Sequence, residues 1–268
     1  MQRLPAISGL QWIRSGFALL RRQPNQLSLL FLLYVTVNLV LLVVPLVGSL
    51  LLLILNQLFT TAFMLGCAEV DAGRQARPRL LFAYLKKPAL AKLAGLGLCY
   101  VAASLLAGGA MVWYSGGTLI DTMIKMNDGA TGAAGAVDEA TKEAVLRALF
   151  FGTSFYRILT LPLWFAAPLI AWQNMGVAKA IFFSVFSVLR AIKAFIAYIL
   201  AWAAISLFMS INLTALLSLL PGVSDVLALA VTIPCMLFLW MVGYCSFYPS
   251  YVELFGKPQL TAEDGLKD

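Results

Sequence analysis

The 268-residue sequence has no histidine, only 12 acidic residues and four cysteines, and charged residues make up just 12% of it. Each scarcity removes a class of function. Without histidine there is no imidazole to serve as a general base or to share a zinc ion with cysteine. Cys67, Cys99, Cys235 and Cys245 stand singly in or beside apolar runs, without Cys-x-x-Cys spacing, and read as small hydrophobes. No Gly-rich phosphate loop, dinucleotide fingerprint or nucleophile-and-base pair occurs. The expectation is a protein that is not an enzyme and carries no metal and no cofactor. Short segments alternating apolar and polar are also missing: Leu39 to Val44 and Leu50 to Leu55 are continuously apolar, which excludes a membrane β-barrel.

What is abundant is apolar surface. The chain is 62% hydrophobic with a mean hydropathy of +0.90, whereas soluble domains are roughly half apolar and a quarter charged. Apolar runs over residues 26–44, 46–68, 90–114, 151–172, 194–217 and 226–245 reach the length of about 20 residues that a helix needs to cross the hydrocarbon layer. The fold class is therefore all-α integral membrane, with six transmembrane helices in a single membrane domain. Pro162 and Pro168 fall inside the fourth run as kink points.

A net charge of +7 does not imply nucleic acid here, because the basic residues lie between spans and form no patch on a soluble module. Arg3, Arg14, Arg21 and Arg22 precede the first span, Arg74 to Lys92 separate the second from the third, and Lys179, Arg190 and Lys193 separate the fourth from the fifth. The alternate connections hold the acids Asp121, Asp128, Asp138, Glu139 and Glu143, or no charge of either sign at Pro45 to Gly48. By the positive-inside rule both termini are cytoplasmic. The N-terminus does not read as a signal peptide, since its apolar run begins after Arg21 and Arg22 and has no small-residue cleavage site.

Three segments before apolar hairpins share a phase: Phe17 to Arg21, Phe82 to Lys86 and Phe186 to Arg190. A Phe and a Leu three apart share one helix face, followed by a cation that reaches headgroups. Interfacial helices are expected over 7–22, 79–87 and 177–190, anchored by Phe17, Phe82 and Phe186 in the apolar layer and by Arg21, Lys86 and Arg190 at its surface. Ser187 lies off that apolar face, and Trp12 suits the interface. Three elbow-plus-hairpin units then account for the chain. Gly95, Gly97, Gly108 and Gly109 of the third span are packing glycines, residues 115–137 form an outer loop, Trp240 to Phe255 mark the inner interface, and 256–268 form a cytoplasmic tail.

Arg157 is a lone cation inside the fourth span, with no acid inside a span to pair with it. Either it snorkels to the outer headgroups or it holds an anionic group at a pocket edged by Asn38, Asn56, Gln57 and Asn212. Glu69 and Asp71 could relay protons or bind a cation, and read more plainly as a solvated helix end near Arg74 and Arg77.

Several runs together carry a family likeness: Leu10-Gln11-Trp12 with Gly16-Phe17, Arg21 to Pro24, Pro45 to Gly48, Asp71 to Arg74, and Phe165 to Trp172 before Ala180 and Ser184. On these the chain resembles a family of uncharacterised multi-pass inner-membrane proteins of Gram-negative bacteria. More distantly it is similar to the membrane domain fused to some glycerophosphodiester phosphodiesterases, without their catalytic domain. The resemblance implies a fold and a compartment and carries over no catalytic residue. The expected function is that of an accessory, scaffold or assembly partner, with a transporter or lipid-handling protein as the alternative. Membrane lipids and other membrane proteins are the expected partners, nucleic acid is not, and the oligomeric state stays open.

The topology has a direct check. In a Cys-free background of intact spheroplasts, an impermeant thiol reagent should modify Gly129→Cys and spare Gln75→Cys; the opposite pattern would invert the orientation.

Overall fold

The computed structural model describes residues 4–45, 47–85, 89–127, 139–218 and 225–259. Lys86, residues 128–138 of the expected loop and residues 260–268 of the expected tail lie outside these. Ten helices are described, and no strand among the described residues: α1 (Ile7–Arg22), α2 (Pro24–Leu42), α3 (Val47–Asp71), α4 (Ala89–Tyr114), α5 (Thr118–Asn127), α6 (Glu139–Thr160), α7 (Ala166–Gln173), α8 (Val177–Arg190), α9 (Ile192–Ser218) and α10 (Asp225–Phe255). Six segments are long and apolar enough to cross a membrane: α2, α3, α4, α6 joined to α7, α9 and α10.

Local chemistry sets the boundaries. Pro24 opens α2, where its missing N–H costs nothing. Asn174, at φ 51°, ends α7 in the left-handed conformation, and Gly256, at φ 82°, turns the chain after α10. The fourth span breaks into a 3-10 turn at Leu161–Leu163, because Pro162 cannot donate and its ring crowds the preceding turn. The Phe165 N–H beside the break donates to Ser184 Oγ of α8 at 2.9 Å. A side chain of the third elbow thus satisfies backbone at the break, as an apolar medium requires.

The elbows are arranged in a cycle. α1 packs on α9 and α10, the turn before α4 packs on α2 and α3, and α8 packs on α7, on the 3-10 break and on α4. Each elbow therefore seats on another unit's hairpin, and α1 closes the ring from the first unit back to the third. α3 stands at the centre, touching α2, α4, α7 and α10, and its stretch from Gln57 to Val70 is almost wholly buried.

Closure depends on two glycines of α1 that are seven residues apart and so on one face. A Cβ at Gly9 would lie 2.2 Å from the Ala194 carbonyl oxygen of α9, and one at Gly16 would lie 2.7 Å from Ser246 Cα of α10. With α1 seated between them, α9 and α10 scarcely touch each other, and their far halves expose Leu207, Phe208, Ile211, Leu229 and Ile233.

Several sequence expectations need correction. The second elbow is not an interfacial α-helix over 79–87 but a 3-10 turn, Pro78–Phe82, since prolines at 78 and 88 leave too little chain for a helix. The outer loop contains helix α5. α10 does not end near Cys245 but runs on through Pro249 to Phe255. Its aromatics Tyr248 and Tyr251 are buried, as is Trp12, because α1 packs on α9 and α10 and Trp172 of α7 packs on Tyr251 where a bare interface was expected. Ser187 is buried while Phe186 is exposed, since α8 turns its small residues Ala180, Ser184 and Ser187 inward. Phe17 and Phe82 are partly exposed, Phe17 lying edge-on to Phe238 of α10 and Phe82 edge-on to Phe59 of α3. Of the four α4 glycines, Gly97 makes the close approach, 2.5 Å from a built Cβ to Ile54 Cα, whereas Gly108 and Gly109 face open space.

The close approach of α1 sets a contrast. Gly16→Leu should destabilise the detergent-solubilised protein by about 3 kcal/mol, the upper range for overpacking. Gly108→Ala should be neutral or stabilise by about 0.5–1 kcal/mol. Thermal unfolding followed by circular dichroism would read both, and equal midpoints would contradict the seating of α1.

Candidate functional site

The polar residues singled out in the spans converge only in part. Asn38 donates to the Tyr34 carbonyl of its own helix at 2.7 Å, and Asn212 does the same to Phe208 at 2.7 Å. Asn56 accepts from the Tyr34 hydroxyl at 2.7 Å, and the Tyr244 hydroxyl lies 2.7 Å from the Tyr34 hydroxyl. Because a phenol has one proton, Tyr34 gives it to Asn56 and receives that of Tyr244, tying α2, α3 and α10 together. Gln57 is buried, and its carbonyl accepts from Thr61 at 2.7 Å. Arg157 is exposed on α6. Asn56 thus joins the Tyr34 hydroxyl and Asn38 only the Tyr34 backbone; the Arg157 charge lies within electrostatic reach of Tyr244 in that network, while Asn212 bonds only its own helix.

A denser arrangement lies at the elbow face. Asp71, the last residue of α3, receives Lys257 at 2.7 Å, Arg22 at 3.3 Å and the Tyr248 hydroxyl at 3.2 Å. Glu253 of α10 accepts from Ser8 Oγ at 2.7 Å and from the Trp12 indole N–H. Glu69 is buried, not solvated as expected, and takes both the Nε and a terminal nitrogen of Arg74, the latter at 3.0 Å. The forked guanidinium offsets the burial of that carboxylate, and the same hydrogen bond raises the Arg74 pKa above its ordinary value. Gln23 links the α1–α2 junction to the same region: its amide donates to the Arg74 carbonyl at 2.8 Å and accepts from the Ala76 N–H at 3.2 Å.

Between α1 and the end of α10 this network borders a cavity of about 370 Å³. Gln11, Ser15 and Arg22 line it from α1, Asp71 from α3, and Tyr248 and Glu253 from α10, with Lys257 just beyond; Trp12 and Leu19 lie beneath. The phase of Gln11, Ser15 and Arg22, all on one face of α1, was available in the sequence. Their acidic counterparts were not, since Asp71 stands 49 positions from Arg22 and Glu253 stands 241 from Trp12.

No family model matches the chain, and no solved structure matches it. A probable inner membrane protein of Burkholderia thailandensis is 32% identical over 254 residues, which cover 94% of this chain and 92% of the relative. The chain belongs to the family of this inner membrane protein, and is itself a multi-pass protein of the inner membrane.

Proposed function

We propose that the protein is a non-enzymatic accessory or scaffold of the inner membrane, with both termini cytoplasmic, whose third hairpin docks helices of another membrane protein. One observation carries this reading: the far halves of α9 and α10 have few intramolecular contacts, although the remaining spans pack around α3. Helices that lie apart in lipid gain association energy by packing and not from the hydrophobic effect, so a splayed hairpin offers two apolar ridges and the groove between them. A transporter calls instead for broken helices around a polar cavity near the bilayer midplane. The break at Leu161–Leu163 is covered by Ser184, and two of the span amides turn back onto their own helices.

Photo-crosslinking in native membranes tests the reading. A photoreactive residue at Phe208 or Ile233 should give discrete protein adducts, while one at the buried Phe31 should give none. Lipid adducts only, at both exposed positions, would contradict it.

A further inference from the structure

We propose that the elbow-face cavity binds a phosphoethanolamine group, with Arg22 and Lys257 taking its phosphate and Glu253 taking its ammonium. The inference does not rest on the scaffold reading, which concerns the opposite end of α10.

Its basis is the separation of charge within one cavity. At one end Arg22 and Lys257 both address Asp71, so that this end keeps one net positive charge. Arg22 makes a single contact there at 3.3 Å and its side chain is 57% exposed, leaving most of the guanidinium's five donors for an anion. Lys257 uses one of three ammonium protons on Asp71, which leaves two. At the other end Glu253 holds one bond on each carboxylate oxygen, from Ser8 and Trp12, and keeps a free lone pair on each. No basic side chain is paired with it among the described residues.

A cavity that holds both a net positive cluster and a carboxylate without a cationic partner selects a zwitterion over an ion of either sign, since a simple anion would be repelled by Glu253. An ammonium bearing N–H protons suits Glu253 better than a quaternary one, because a carboxylate accepts hydrogen bonds that a trimethylammonium cannot donate. Gln11 and Ser15 supply neutral polar groups between the ends. The cavity lies at the end of a span, beside a helix with Leu10 and Phe17 exposed on another face, so it stands at headgroup level and within reach of water. The phosphoethanolamine can arrive as a phospholipid headgroup or as a soluble compound.

Native mass spectrometry of the delipidated full-length protein separates these outcomes. Mixed micelles would hold equal phosphatidylethanolamine, phosphatidylcholine and phosphatidylglycerol of identical acyl chains. Phosphatidylethanolamine should be retained about tenfold over both others, the worth of one charge-assisted hydrogen bond. Glu253→Gln should erase its preference over phosphatidylcholine. Because Glu253 also anchors α1, Ser15→Phe serves as the second variant: it fills the cavity without touching that anchor and should lower phosphatidylethanolamine retention at unchanged thermal midpoint. Soluble O-phosphoethanolamine that displaces the lipid would support the site with a free source, and a preference that survives excess soluble compound would support it with a lipid source. Equal retention of phosphatidylethanolamine and phosphatidylcholine, with no binding of the soluble compound, would overturn the proposal. So would a preference that persists in both variants.

Discussion

The architecture depends on the seating of α1 between α9 and α10. This contact joins the first residues of the described chain to its last helix, and it is made at backbone distance because Gly9 and Gly16 carry no side chain. Polar anchors fix its ends: Ser8 and Trp12 on Glu253 at one, Arg22 on Asp71 at the other. Trp12 lies between, in ring contact with Phe195 and Tyr198 of α9. With the helix wedged in this way, α9 and α10 have little contact with each other, joined beside it by the Tyr198 and Ser246 hydroxyls at 2.6 Å. The exposed faces of the far halves and the cavity at the elbow face lie toward opposite ends of α10.

The second constraint is the medium. In hydrocarbon every polar group needs a partner inside the protein, and the chain meets this locally wherever it can. Thr61, Thr232, Asn38 and Asn212 each bond a carbonyl four residues back on their own helix. Where a helix must break, at Pro162, the solution comes from another unit, through Ser184. The units are therefore coupled by satisfaction of backbone as well as by packing, and the elbows act as parts of the core.

This explains which features were readable from sequence and which were not. The six spans follow from apolar length, a property of each segment by itself, and the helices at α1 and α8 follow from amphipathic phase. What phase cannot state is whether an apolar face meets lipid or protein. Trp12, Tyr248 and Tyr251 have the composition of an interfacial belt, yet they are buried because α1 returns to α10 across nearly the whole chain. Ser187 was misjudged for the same reason, since small polar residues in α8 mark its packed side. The second elbow failed as a helix because a shared Phe-to-Lys spacing says nothing of the prolines that bracket it. The span amides were individually visible, but their grouping was a matter of tertiary contact: Asn56 reaches Tyr34 and Tyr244, while Asn212 reaches only its own turn. The elbow-face cluster joins α1, α3 and α10, and no local pattern connects those segments.

The closure of the ring by α1 within one chain is the claim on which the rest stands. In a Cys-free background the double variant Ser8→Cys with Glu253→Cys, treated in native membranes with a short bis-maleimide, tests it directly. Closure within the chain predicts an intramolecular crosslink that runs as a monomer and depends on both cysteines. Failure to crosslink, or crosslinks formed only between two chains, would mean that α1 does not seat on its own third hairpin, and the account would be wrong.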